Sequence, residues 1–287
     1  MRDRQEKITH LVQSRGFVTI DFLADEFCVT PQTIRRDINI LSEKGLVRRY
    51  HGGAGMVPST ENVAYTKRKV LCLKEKQQIA QMVAAHIPDH ASLLINIGTT
   101  TEEIAKALFD HRGLRVITNN LHVAAILSGN ENFEVIVAGG LVRQRDGGII
   151  GPLTIDFIEQ FRVDYGIIGI SGIDMDGTLL DFDYREVRAA RSIMDNSRKV
   201  FLAADHTKFG RNAMVRLGNI AEIDALYTDQ YPPQLLIDTI NMSEVQLCVP
   251  EISAVDMSPP GRGITALPGG KNGADDRSES DDAAGLD

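Results

Sequence analysis

Thr30-Pro31-Gln32-Thr33-Ile34-Arg35-Arg36-Asp37-Ile38-Asn39-Ile40-Leu41 decides how this chain is read. Threonine is a good helix N-cap, and the proline after it sits where the first turn tolerates a missing N–H. Ile34, Ile38 and Leu41 recur at i, i+4 and i+7, so a helix gathers them on one buried face. Gln32, Thr33, Arg35, Arg36 and Asn39 then face elsewhere. Arg, Gln and Asn are the side chains that contact guanine and adenine edges bidentately in a major groove. The spacing predicts a recognition helix, with Thr30 at its start. A solvated amphipathic helix with two arginines would look alike, and the flanking sequence decides between them.

Upstream, residues 4 to 14 read as a helix with Ile8, Leu11 and Val12 inward, stopped at Gly16. Thr19 caps a second helix, 20 to 27, which packs Phe22, Leu23 and Phe27, and Cys28-Val29 makes a short turn. A positioning helix, a tight turn and a recognition helix form the helix-turn-helix pattern. Downstream, Gly45 stops the helix. Leu46-Val47-Arg48-Arg49-Tyr50-His51-Gly52-Gly53 then reads as a basic strand reaching a tight turn, a wing. Arg48, Arg49 and His51 are placed for phosphate or minor-groove contact.

The charge is distributed accordingly. The 287 residues carry a net charge of -8, which divides into +4 over residues 1 to 75, -7 over 76 to 250 and -5 over 251 to 287. A basic head on an acidic body is expected when one end meets phosphate, and it favours DNA over a protein partner for the winged helix. No apolar run approaches a membrane span, and Met1-Arg2-Asp3-Arg4 opens no signal peptide, so a cytoplasmic protein without membrane partners is expected. Cys28, Cys72 and Cys248 are odd in number and far apart. They are expected to be buried thiols in a reducing compartment rather than a disulfide or zinc set. His86 and His90 are four apart with Pro88 between them, so no metal is expected on a shared helix face, and no cofactor.

Four segments follow. Residues 1 to 56 form the winged head. Residues 57 to 73, with Gly55 just before, Pro58, Ser59 and Thr60 at the start and little apolar periodicity, read as a linker whose Lys67, Arg68 and Lys69 either touch DNA phosphates or are simply solvated. Residues 74 to 249 form a body. Residues 250 to 287, rich in Gly, Pro, Asp and Ser, read as a disordered acidic tail. In the body, strands at 92 to 97, 115 to 118, 134 to 138, 165 to 170, 200 to 204 and 225 to 228 alternate with helices at 74 to 87, 102 to 108, 121 to 127, 154 to 161 and 184 to 196. Such alternation predicts an α/β domain, a mostly parallel sheet covered on both faces, with ligands at the carboxyl ends of the strands.

The polar residues collect at those ends. Gly98-Thr99-Thr100-Thr101 stands between a strand and a helix, where backbone N–H groups, hydroxyls and the helix dipole favour a phosphate. It has neither the lysine of a P-loop nor the three spaced glycines of a dinucleotide fold, so ATP and NAD are not supported. Other strands end in Thr118-Asn119-Asn120, Gly139-Gly140, Ser171-Gly172-Ile173-Asp174 and Asp205-His206-Thr207-Lys208-Phe209-Gly210. That set suits a small phosphorylated polyol, with Lys208 and the threonines on the phosphate and Asp174 and Asn119 on hydroxyls.

The stretch LADEFCVTPQTIRRDINIL...KGLVRRYHGGA resembles the DNA-binding domain of the DeoR-type repressors. RDGGIIGPLTIDFIEQFRVDYGIIGISGID, DFDYREVR and ADHTKFGRNAMV resemble the sensor domain of the same family, a domain similar in fold to ribose-5-phosphate isomerase. The resemblance runs from about residue 4 to 249. It implies a homodimeric or homotetrameric repressor, released from operator DNA by a small phosphorylated inducer, with glycerol 3-phosphate the favoured member of that class. It carries the ligand-loop positions onto Gly98, Thr99, Thr100, Thr118, Asn119, Gly139, Gly140, Asp174 and Lys208. Asn96 stands where the family usually has Asp, which keeps an acceptor and removes a charge.

Two other readings compete. A repressor of this family answering to another sugar phosphate has the same residues in its favour. An enzyme, a hydrolase or a sugar-phosphate isomerase, has fewer. Gly169-Ile170-Ser171-Gly172 is one residue short of a nucleophile elbow. The carboxylates left for isomerase chemistry, Asp183 and Glu186, are equally placed to pair with cations at a helix start. An isomerase has no use for a winged helix, so no enzymatic activity is expected.

Overall fold

The computed structural model describes residues 2–55 and 65–250. Helix α1 (Arg2–Arg15) leads into a short strand β1 (Phe17–Thr19) and helix α2 (Ile20–Glu26), whose first turn is capped by the Thr19 hydroxyl accepting from Phe22 N. Cys28 takes a left-handed backbone (φ 50) to turn the chain into α3 (Pro31–Glu43), capped by Thr30. Strands β2 (Arg48–Tyr50) and β3 (Gly53–Gly55) form the wing hairpin, and β3 also pairs with β1. Gly53 is required there. A Cβ would stand 2.2 Å from the Val18 carbonyl oxygen, where only glycine lets the strands approach.

Ile34, Ile38 and Leu41 are buried, and they join Ile8, Val12, Leu23 and Ala54 in a separate core for the head. The expected face of α3 is therefore the observed one. β1 was not anticipated: it has three residues, and the partner of its central Val18 is Ala54, far downstream. Cys28 corrects the expectation of buried thiols. It is exposed because it is the turn residue between α2 and α3, while Cys72 and Cys248 are half-buried.

Part of the stretch expected to be an irregular linker is helical, as α4 (Tyr65–Val70). Residues 57–64 of that stretch, and the expected tail from 251 on, lie outside the described residues. After α5 (Leu73–Ala85) the body runs through β4 (Ser92–Ile95), α6 (Thr99–Ala107), β5 (Arg115–Thr118), α7 (Leu121–Leu127), β6 (Glu134–Val137) and the hairpin β7 (Leu141–Arg143) and β8 (Gly148–Ile150). It continues with α8 (Pro152–Ile158), β9 (Val163–Gly169), β10 (Gly172–Ile173), β11 (Thr178–Asp181), α9 (Tyr184–Asp195), β12 (Ser197–Ala203), β13 (Val215–Asn219), β14 (Ala225–Tyr227), α10 (Gln234–Met242) and β15 (Gln246–Cys248). A single 3-10 turn, His206–Lys208, follows β12.

The main sheet has seven strands in the order β15-β14-β12-β9-β4-β5-β6, with every pair parallel. Each face carries its own apolar cluster, one around Leu94, Ile168 and Leu202 and one around Leu93, Ile95 and Ile167. This is the doubly covered parallel sheet that the alternation predicts. An antiparallel annex β10-β11-β13 stands beside it. From β4 the chain winds outward through β5 and β6, then returns to β9 on the other side and winds through β12, β14 and β15. The crevice beyond the carboxyl ends of β4 and β9 is therefore the topological switch point, where open α/β sheets bind ligands.

Candidate DNA-reading face and effector pocket

On the head, Gln32, Arg35 and Arg36 are exposed, while Thr33 and Asn39 are half-buried. Thr30 and Thr33 share a hydroxyl hydrogen bond of 3.0 Å, so both are engaged in the cap. Asp37 directly follows the two exposed arginines in sequence but turns inward. It is 2% exposed and accepts from Arg4 Nε at 2.7 Å and Gln5 Nε2 at 2.9 Å. That pairing clamps α3 to α1 and neutralises an acid that would otherwise repel phosphate. On the wing, Arg49 and His51 are exposed, while the Arg48 guanidinium lies over the Tyr50 ring at 5.2 Å.

At the switch point, the loop after β4 brings Gly98, Thr99 and Thr100 to one wall of a pocket. The loop after β9 brings Gly169 and Ser171, and the turn after β12 brings Lys208 and Arg211. Thr101 turns its hydroxyl back to the Asn96 and Gly98 carbonyls, both at 2.8 Å. No side chain caps the N-terminus of α6, so its first amides have no side-chain acceptor and suit an anion. Lys208 is 9% exposed and stands 3.6 Å from Asp205. Burial opposes ionisation of Asp205, but Lys208, Thr207 and Lys76 hold its carboxyl below the usual range. Arg211 is pulled down by burial and by repulsion from Arg68. Arg68, the third cation at the pocket, comes from α4.

Two carboxylates face these cations. Asp181 accepts the Ser171 hydroxyl at 3.0 Å, and burial raises its carboxyl. Glu186 is pushed up to about 7 by burial and by Asp181. It is nonetheless tied to Arg143 Nη2 at 2.7 Å, and Arg143 also holds Asp146 at 2.8 Å and Asp183 at 3.1 Å. Asp183 and Glu186 are thus ion-pair partners at the start of α9, the plainer of the two roles the sequence left open.

The other expected ligand positions are not among the residues that line this cavity. Thr118 donates to Ile95 O at 2.7 Å and holds β5 to β4. Asn119 donates from Nδ2 to Ile149 O at 3.1 Å and anchors the β7–β8 hairpin. Gly139 accepts from the Thr154 hydroxyl at 2.9 Å, and Gly140 packs against the same side chain. Asp174 sits in the β10–β11 turn, accepting from Met175 N. Asn96 is buried and is not among the pocket-lining residues; its Oδ1 finds no donor among the described residues. The sequence reading missed Arg68, Ser171, Asp181, Glu186 and Arg211 as a set. Four of them lie in the motifs it had singled out, but their convergence depends on the return of β9 beside β4.

The turn after β12 has a second face. Tyr50, at the end of the wing strand β2, donates its hydroxyl to Gly210 O at 2.8 Å. Phe17 and Tyr50 meet edge to face at 5.7 Å and pack against the body's core beside Phe209. Gly16 (φ +72) lets the head approach this turn, since a Cβ there would stand 3.0 Å from Thr207 Cα. Burial and the Asp174 charge push the Tyr50 phenol up to about 12. One turn therefore lines the pocket with Lys208 and Arg211 and holds the wing through Gly210.

Residues 4–60 match the DeoR-like helix-turn-helix domain, and residues 72–230 match the DeoR C terminal sensor domain. The chain belongs to the DeoR family. Among DeoR-type relatives, the glycerol-3-phosphate regulon repressor of Escherichia coli is 51% identical over 85% of this chain and 97% of its own. The repressor of the same name from Haemophilus influenzae is 51% identical over 80% of this chain and 89% of its own. The transcriptional repressor CsqR of E. coli is 43% identical over 88% and 96%. Among solved structures, ribose 5 phosphate isomerase A from Neisseria gonorrhoeae covers 48% of this chain and 53% of its own, with 12% identity and a TM-score of 0.36. That likeness is too slight to bear on activity. No helix among the described residues of this DeoR chain is long and apolar enough to cross a membrane.

Proposed function

We propose that this chain is an operator-binding repressor released by a small phosphorylated polyol, glycerol 3-phosphate in the first instance. The observation that carries the proposal is the convergence of Lys208, Arg211 and Arg68 on the uncapped N-terminus of α6, behind a head that leaves Gln32, Arg35 and Arg36 exposed. Three cations around amide donors and threonine hydroxyls call for a dianion such as a phosphate monoester. The choice of glycerol 3-phosphate is supported by the relatives above, whose names specify that regulon.

Two protomers of a cytoplasmic homodimer, or a homotetramer built from such pairs, place α3 of each head in successive major grooves of an inverted repeat. Arg35, Arg36 and Gln32 read base edges; Arg49 and His51, with Arg48 behind them, set register on the backbone. Effector held at Lys208 and Arg211 shifts the turn that carries Gly210. The Tyr50 contact then no longer holds the wing at operator spacing. A coupling of about 1–3 kcal/mol per site lowers operator affinity roughly 5–150-fold. No catalytic role is assigned: Glu186 is paired with Arg143 and Asp181 with Ser171.

Two variants test the assignment in opposite directions. Arg35→Ala abolishes specific operator binding and leaves effector binding intact; unchanged operator affinity would remove α3 as the reader. Lys208→Ala binds operator as the parent does but no longer responds to effector; a parental response would remove Lys208 as a phosphate ligand.

A further inference from the structure

The open space at the centre of the effector pocket is about 30 Å³, room for about two water molecules and far too little for a phosphorylated polyol. Something must move for a ligand to enter. The walls from β4, α6, β9, β11 and α9 belong to the packed core of the body, and the turn after β12 is anchored in it by the buried Phe209. The wall from α4 does not: α4 has six residues and buries none of them. It is laid on by polar contacts at its ends. The Tyr65 hydroxyl donates to Glu102 at 2.8 Å and its ring stacks on His122 at 5.3 Å; Lys76 Nζ donates to the carbonyls of Arg68 and Leu71.

Between those anchors Arg68 turns into the pocket, and its guanidinium is poorly served there. Nη2 stands 3.5 Å from Asp146, which already receives two 2.8 Å hydrogen bonds from Arg143. Nε is buried without a partner among the described residues. A buried guanidinium N–H left unpaired beside two further cations, Lys208 and Arg211, is a donor held ready for an incoming anion. Lys67 and Lys69, its neighbours on α4, stay exposed, so the expectation that Arg68 touches DNA or solvent is replaced by a site within the body.

We propose that α4 is the lid of the effector pocket and that Arg68 is a ligand of the effector's phosphate. α4 swings outward to admit the ligand and closes on it. Arg68 exchanges its weak contact with Asp146 for a bidentate contact with two phosphate oxygens. Because α4 is the first helix after the head among the described residues, the lid also reports occupancy toward the head. This inference rests on the reading of the pocket as a phosphate site.

The test uses the full chain, with inorganic phosphate and glycerol 3-phosphate as separate probes. Calorimetry gives affinity, and amide hydrogen exchange follows residues 65–70. Arg68→Met weakens both probes about 10-fold or more with little change in melting temperature, and Arg68→Lys, which keeps the charge and loses the fork, falls between. Either probe slows exchange in α4 of the parent and not of Arg68→Met. Parental affinity in Arg68→Met, or α4 exchange indifferent to ligand, overturns the lid while the repressor reading stands. Binding of inorganic phosphate through Arg68 without binding of glycerol 3-phosphate keeps the lid and removes the effector assignment. Binding of neither probe by the parent overturns both.

Discussion

The Tyr50 hydroxyl and the Gly210 carbonyl, 160 residues apart in the chain, meet at 2.8 Å, and Gly210 lies two residues from Lys208. The wing of the head is therefore bonded to the turn that supplies the proposed effector pocket with its buried lysine. A ligand that shifts Lys208 by a fraction of the length of a hydrogen bond acts on the wing without a longer relay. The coupling proposed above is in that respect local and does not need a chain of intermediaries.

Tyr50→Phe tests that relationship. It removes the hydrogen bond and keeps the ring against Phe17, so the loss of stability is about 0.5–1.5 kcal/mol. Effector still binds with parental affinity, but the drop in operator affinity that it causes becomes smaller. Titrations of operator with and without effector, on parent and variant, measure the difference. An undiminished drop would place the relay elsewhere.

A second prediction concerns the head alone. Asp37 is buried under Arg4 and Gln5, so Asp37→Ala strands both donors and costs about 1.5–3 kcal/mol. Amide exchange along α3 accelerates accordingly, while exchange in the main sheet is unaffected. Equal acceleration in head and body, or none, would contradict a separate core for the head.

Glu186 supplies a pH dependence with a definite sign. Burial and Asp181 raise its carboxyl from 4.5 to about 7 in the folded chain. Between those values the folded state binds the proton more tightly than the unfolded state, so stability falls as pH rises through the window. Asp183, depressed to about 2 as Arg185 and Arg143 outweigh its burial, contributes stability that is lost only in stronger acid, outside the window. Arg143 also faces Glu186, and the carboxylates around it outweigh its burial and raise it, so it stays charged across the window. Glu186→Gln therefore flattens the decline between about pH 5 and pH 8 by on the order of 1–3 kcal/mol. Urea midpoints at intervals of pH measure it, and parallel curves for parent and variant would remove Glu186 as the titrating group.

The legible parts of this molecule were those written in apolar periodicity. Ile34, Ile38 and Leu41 named the face of α3 and left Gln32, Arg35 and Arg36 outside. Runs such as Leu93 to Ile95 and Ile167 to Ile168 named strands covered on both faces. What stayed hidden is held by polar contacts or by distant partners. α4 has no apolar stripe; it docks through Tyr65 and Arg68 to Glu102 and Asp146, residues the sequence places far away. β1 exists because Val18 pairs with Ala54. Thr118, Asn119, Gly139 and Asp174 stand at strand ends too, but the cavity at the switch point is lined from the ends of β4, β9 and β12. Which strand ends converge is a matter of sheet order, and sheet order is not written in any one segment.

The central claim is that one phosphorylated ligand releases this head from DNA. The most direct measurement is the affinity of the full chain for an operator fragment at one fixed salt concentration, with millimolar glycerol 3-phosphate, glycerol, or neither. Salt is fixed because phosphate contacts make affinity steeply salt-dependent. Glycerol 3-phosphate is expected to weaken the complex roughly 5–150-fold and glycerol to do nothing. Tight operator binding that is indifferent to glycerol 3-phosphate and to every other phosphorylated polyol tried would contradict that claim.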